Sequence, residues 1–171
     1  MLNALGAAGR MRQLLREVID RAPEFAPTYY VLGSIYEQLP GFPLRFGNTD
    51  WAVSFGRRAI DLREADLESG EVEEVRPDYY TELAKHLHKR NWSQARRERE
   101  QRRKRDRAQN ERRRLELPAL YEGEVDIPAL TDREEAALLV QQAIDLLRSQ
   151  PTLSRDDQRD LEDALELHAR L

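Results

Sequence analysis

An all-α protein is what this sequence predicts, made of irregular helical hairpins, a long charged helix and a C-terminal helical hairpin. Three observations carry that expectation. Apolar residues recur three and four positions apart through most of the 171 residues. Prolines and capping residues fall between these runs rather than inside them. The stretch from Gln94 to Leu115 holds no proline or glycine and is rich in arginine, glutamate and glutamine, all good helix formers.

The first helix is read from Leu5, Ala8, Met11, Leu15, Val18 and Ala22, which share one face and need a cover, and Pro23 ends it. A second begins near Pro27. Its Tyr29, Leu32, Gly33 and Tyr36 put two rings and a small residue on one stripe, so that a neighbouring helix can approach closely at Gly33. A third starts after Asn48, where Asn48, Thr49 or Asp50 can cap it, and carries Ala52, Phe55, Ala59, Ile60 and Leu62. After Ser69 and Gly70, Pro77 opens a fourth, whose Tyr80, Leu83, Ala84 and Leu87 repeat the spacing of the second.

Composition bounds what such a chain can do. With 40% hydrophobic and 35% charged residues it can bury a modest core. No cysteine is present, which excludes disulfides and thiolate metal sites. No run approaches the ~18 apolar residues of a membrane span. The net charge of -4 conceals three electrical segments: -2 over residues 1–92, +6 over 93–116 and -8 over 117–171.

The spacing Tyr29, Leu32, Gly33, Tyr36, with the small residues Ala52 and Ala59 beyond it, resembles a tetratricopeptide (TPR) repeat. Val18 to Pro23 resembles the end of a preceding unit, and Tyr80, Leu83, Ala84, Leu87 and Ala95 a following one, so that the likeness covers about residues 5–97. Gly56 and Glu64 depart from the pattern, standing where an aromatic and a proline are usual. Within it, Tyr36 to Ala52 is longer than a repeat turn by roughly seven residues. That insertion, PGFPLRFG, is similar to the turn of a bacterial family related to the TRAP-transporter-associated TPR proteins. The resemblance implies a non-enzymatic protein-binding scaffold, an accessory of a bacterial transport or envelope assembly. It implies a periplasmic location if the start of the chain is incomplete. An N-terminus whose apolar residues are interrupted by Arg10, Arg12 and Arg16 reads instead as cytoplasmic.

Prolines and glycines stiffen the inserted loop, so Phe42, Leu44, Arg45 and Phe46 are expected to form a preorganised partner-binding surface. Aromatics beside an arginine are the usual composition of an interface hot spot. In the competing arrangement Phe42 and Phe46 fold back and plug the end of the helical stack. On the concave face of the scaffold, Tyr29, Tyr36 and Tyr80 are the expected contact residues.

Residues 93–116 form the basic segment, with Ser93 as N-cap. Only Ala95, Ala108 and Leu115 are apolar after Trp92, too few for a buried stripe, so the helix is expected to project into solvent beyond its first turn. Arg96, Arg97, Arg102, Arg103, Arg107, Arg112, Arg113 and Arg114 offer phosphate contacts, and a nucleic-acid- or ribosome-associated accessory protein is the chief alternative function. The other reading is a solvated helix partly neutralised by the acidic tail. A third function, a self-assembling homo-oligomer, is compatible with either.

Residues 117–130, with Pro118, Gly123 and Pro128, read as a loop or extended linker. Residues 131–171 read as an acidic amphipathic hairpin that must dock on the repeat helices or on a second subunit. Thr131 and Glu134 make a capping box and Ser154 caps the second helix. Ala136, Leu139, Val140, Ala143, Ile144 and Leu147 face Leu161, Ala164, Leu165, His168 and Leu171. Neither a metal site nor a cofactor nor an enzymatic constellation is expected. His86 and His88 point to different faces of one helix, and no glycine-rich phosphate loop, GxSxG turn or HExxH pair is present.

Overall fold

The computed structural model of the protein describes residues 2–41, 46–111 and 117–171, the first four by backbone alone. Among them the fold is all-α. Seven α-helices run Leu2–Arg21 (α1), Ala26–Gln38 (α2), Thr49–Ser69 (α3), Pro77–Arg90 (α4), Gln94–Asn110 (α5), Asp132–Ser149 (α6) and Arg155–Arg170 (α7), with a 3-10 helix at Leu117–Gly123.

Each boundary has a chemical cause. Asn48 accepts hydrogen bonds from the backbone N–H groups of Asp50 and Trp51 and so caps α3, which ends at Gly70 in a left-handed conformation (φ 78°). Proline occupies the first turn of α2 and of α4, where no intrahelical N–H is lost. Thr131 with Glu134, and Ser154 with Asp157, form reciprocal capping boxes at α6 and α7. Ser93 sits at the N-cap of α5 but makes no side-chain cap bond. That helix is shorter than its composition suggests, because Glu111 is already extended (φ -80°, ψ 120°).

Packing follows chain order with one interruption. α2 packs on α3, α3 on α4, α4 on α6 and α6 on α7, while α2 also touches α4 and α4 touches α7. The core between them holds Leu32, Tyr36, Ala52, Val53, Leu83, Leu87, Val140, Ala143 and Ile144. Tyr29, Tyr36 and Tyr80, expected on an open face, belong to this core, at 2%, 4% and 4% exposure. Tyr36 stacks on Phe55 with ring centroids 5.3 Å apart. In α7 the buried positions are Ala164 and Leu167, whereas Leu165 and His168 face outward. At the N-terminus, α1 engages α2 through Leu15 and Ile19, and Met11 is 48% exposed rather than covered.

Residues 94–123 are inserted between α4 and α6. Of the expected linker 117–130, Leu117–Gly123 form a 3-10 helix whose Ala119, Leu120, Tyr121, Glu122 and Gly123 are all buried, packed on α3 and α5, while residues 124–130 are loop. Three side chains of α5 lace it down: Arg105 Nε donates to the carbonyl of Gly123 (3.0 Å), Gln101 Nε2 to that of Val125 (2.7 Å) and an Arg97 guanidinium N–H to that of Leu130 (2.7 Å). Backbone meets backbone at Gly123, where a Cβ would lie 2.5 Å from the Arg105 nitrogen and 2.7 Å from the Lys104 carbonyl carbon. Gly123→Ala is therefore expected to lower stability by about 2 kcal/mol or more in urea denaturation. Gly9→Ala, in the interior of α1 with open space around it, is expected to raise stability by about 0.5–1 kcal/mol.

Candidate functional site

Charge clusters in two places, one enclosed and one open. The enclosed cluster gathers four cations, Arg57, Arg90, Arg97 and Lys104, and four anions, Asp50, Glu122, Asp132 and Glu135. All but Asp50 are buried. Arg90 makes a bidentate pair with Asp132 (2.8 Å for both bonds) and reaches Glu122 at 2.6 Å. Arg57 grips Glu135 at 2.8 and 3.1 Å, and Arg97 donates to the same carboxylate. Lys104 Nζ is shared by Asp50 (2.6 Å), Glu122 (2.8 Å) and Ser54 Oγ (3.0 Å). Asp132 also accepts from the backbone N–H of Trp92, whose carbonyl accepts from the Asp132 N–H in return.

Equal numbers of opposite charges make this burial tolerable, since an isolated buried charge costs far more than a paired one. Burial alone would raise the Glu122 carboxyl, but Lys104, Arg90 and Arg57 hold it well below the usual carboxylate range. The cluster joins α3, α4, α5, the 3-10 helix and α6, so it fixes the inserted segment to the helical stack. It is enclosed and paired within itself, and of its described side-chain atoms only the Arg57 and Arg97 Nε–H groups lack a hydrogen-bond acceptor.

His86 is the second enclosed titratable group. It fills the junction of α2, α3 and α4, where Gly33 and Gly56 leave room: a Cβ at Gly33 would meet its Nε2 at 2.8 Å. Among the described residues neither ring nitrogen has a hydrogen-bond partner, and burial pushes the imidazole down to about 3.

The open cluster is a groove across α2, α4 and α7, a face that the sequence reading did not single out. Its wider part, about 520 Å³, is lined by Glu37, Gln38, Lys85, His88, Lys89, Glu166, Leu167 and Arg170. A narrower part of about 110 Å³ continues past the shared Glu82, Lys85 and Asp163 to Tyr30, Asp78, Thr81 and Asp160. Lys89 Nζ bridges to the Glu37 carboxylate (2.8 Å) and carbonyl (2.6 Å), and Ser34 Oγ donates to Glu82 (2.6 Å). Lys85 spans Glu82 (3.6 Å) and Asp163 (3.5 Å). Residues from three separate helices thus present both signs of charge beside a half-buried Tyr30, whose ring is tilted 40° to that of Tyr79 with centroids 4.8 Å apart.

Other predicted site residues fall elsewhere. Phe42, Leu44 and Arg45 lie outside the described residues, as do Arg112, Arg113 and Arg114. Phe46 is half-buried: its ring meets Tyr36 edge-on at 5.5 Å and lies under the Arg12 guanidinium at 4.0 Å. Arg97 is enclosed at 2% exposure, whereas Arg96, Arg102, Arg103 and Arg107 are exposed. Two cations of the basic helix, Arg97 and Lys104, are neutralised from beneath by Glu122, Glu135 and their neighbours rather than by the acidic face of α7. No three potential ligands converge on a metal position among the described residues, and none of their helices is long and apolar enough to cross a membrane.

Two measurements follow from the enclosed groups. Glu122→Gln leaves three cations facing too few anions and is expected to cost about 3–5 kcal/mol in urea denaturation. Arg159→Gln, which removes an exposed pair with Asp156, is expected to change stability by less than about 0.5 kcal/mol. His86 binds its proton more readily unfolded than folded, so stability is full above the unfolded pKa and falls as pH drops from about 6.5 towards 3. The slope is about 1.4 kcal/mol per pH unit. Between pH 6.5 and 5, where His86 accounts for about 1.6 kcal/mol of lost stability, His86→Leu is expected to lose less than the parent by about that amount.

No protein-family model, curated protein or solved structure matches the chain.

Proposed function

We propose that the chain is a non-enzymatic protein-binding scaffold of tetratricopeptide type whose docking face is the groove across α2, α4 and α7. The observation that carries this reading is the succession of contacts. α2 with α3, then α4 with α6, form two helical hairpins, and the first members, α2 and α4, touch one another and are followed by α7. Equivalent helices thereby line one side, as stacked repeats require. The repeated spacing of Tyr29–Tyr36 and Tyr80–Leu87 supports it, since each set supplies the buried stripe of its helix. A place in a bacterial transport or envelope assembly rests on the PGFPLRFG resemblance alone.

Binding rather than chemistry suits the groove. The groups that burial and neighbouring charge shift furthest in the carboxylate and imidazole ranges, Glu122 and His86, are enclosed away from it. What the groove offers is charged and hydrogen-bonding side chains on rigid helices, able to fix an extended segment of a partner with little reorganisation.

A photo-crosslinking residue at Gln38 or Arg170 is expected to trap a discrete partner in cells of the source organism, and the same residue at Gln141 on the outer face of α6 is not. Lys89→Glu, which reverses the charge paired with Glu37, is expected to reduce trapping at least fivefold. Equal products from all three positions would contradict the reading.

A further inference from the structure

Half of the division that matters on α5 is already settled by the enclosed cluster. Arg97, Gln101, Lys104 and Ala108, spaced four, three and four, form the inner stripe, and the two cations among them are satisfied within the protein. On the far side Arg96, Arg99, Arg103 and Arg107 follow one another at three, four and four residues, all exposed, with Arg102 beside them. Their guanidinium groups span about 16 Å of helix. Six exposed arginines stand against three acidic residues over the length of α5. Arg99 (3.2 Å) and Arg103 (2.9 Å) share one oxygen of Glu100, and Arg96 lies over Trp92 at 4.5 Å.

We infer that this arginine ridge docks the phosphate backbone of nucleic acid, without reading its sequence. Charge complementarity chooses the occupant. Four arginines along a ridge about 16 Å long can engage about four phosphates of one strand, and arginine matches phosphate with paired N–H donors. A protein partner would need a desolvated apolar centre, and a membrane surface an apolar face to insert. The exposed side of α5 carries neither, because its two alanines are its only apolar residues. A phosphate backbone needs charge and regular spacing alone. The inner lacing ties the helix to the segment beneath it, so the ridge is presented without folding on contact. This inference is independent of the groove and of any partner bound there.

The test is fluorescence anisotropy of a labelled 20-nucleotide single strand with the full chain. Engagement of about four phosphates predicts affinity that falls roughly fiftyfold between 50 and 200 mM salt. Arg99→Gln/Arg103→Gln/Arg107→Gln is expected to lose at least tenfold and to flatten the salt dependence. It removes like charges four apart, so its helicity, checked by circular dichroism, should not fall. Arg133→Gln/Arg148→Gln/Arg159→Gln, removing as many exposed charges elsewhere, should bind within twofold of the parent. No binding at 50 mM salt, or an equal loss in both triple variants, would overturn the inference. So would equal affinity for poly-glutamate of the same charge number, which assigns the ridge to an acidic protein, or tighter binding to vesicles containing phosphatidylserine.

Discussion

Eight charges drawn from five helical segments decide how this protein is put together. Apolar burial accounts for α2, α3, α4, α6 and α7, whose stripes find one another as amphipathic helices do. It does not account for α5, whose inward side chains are two cations, an amide and an alanine. That helix is held because Glu122 and Glu135 rise to meet Arg97 and Lys104, while Arg57 and Arg90 close the same carboxylates from the opposite side. Removing one member leaves its partner enclosed and uncompensated, so the cluster acts as a unit.

The cluster also orders function. By consuming the inner cations it separates the arginines of α5 into a structural set and an exposed set. By docking the insertion on the α3 and α6 side, it leaves the α2, α4 and α7 side open. The protein thereby presents two surfaces of different character: a mixed-charge groove on rigid helices and a cationic ridge. The groove suits the ordered contacts of a protein segment, and the ridge suits long-range attraction of an extended anion.

Most helices were legible in the sequence because each boundary had its own chemistry. Asn48, Thr131 with Glu134, Ser154, Pro77 and Gly70 mark ends that hydrogen bonding or backbone preference enforces, and the inner residues of α3 and α6 recur at helical spacing. The burial of α5 and of the segment beneath it was not legible. Hydrophobic periodicity detects a buried stripe only when it is apolar, and the stripe of α5 is Arg97, Gln101, Lys104 and Ala108. Its partner, Glu122, sits between Pro118 and Pro128 in a stretch whose turn residues suggest a loop. The short apolar run Ala119, Leu120, Tyr121 was the available sign that this stretch is buried. Tyr29, Tyr36 and Tyr80 were read as a contact face because large rings at helical spacing fit a core and an interface equally well. Only the neighbours, Phe55 for Tyr36 and Glu64 for Tyr80, decide between them. The groove was missed because it is assembled from three helices far apart in the chain.

Native-state hydrogen exchange of the α5 amides tests the central claim most directly. If the enclosed charges lock α5 to the stack, amides over residues 98–108 will exchange only in global unfolding, as slowly as those of α3 and α4. Exchange of those amides at nearly free-peptide rates, while α3 and α4 stay protected, would show that the cluster does not hold the helix.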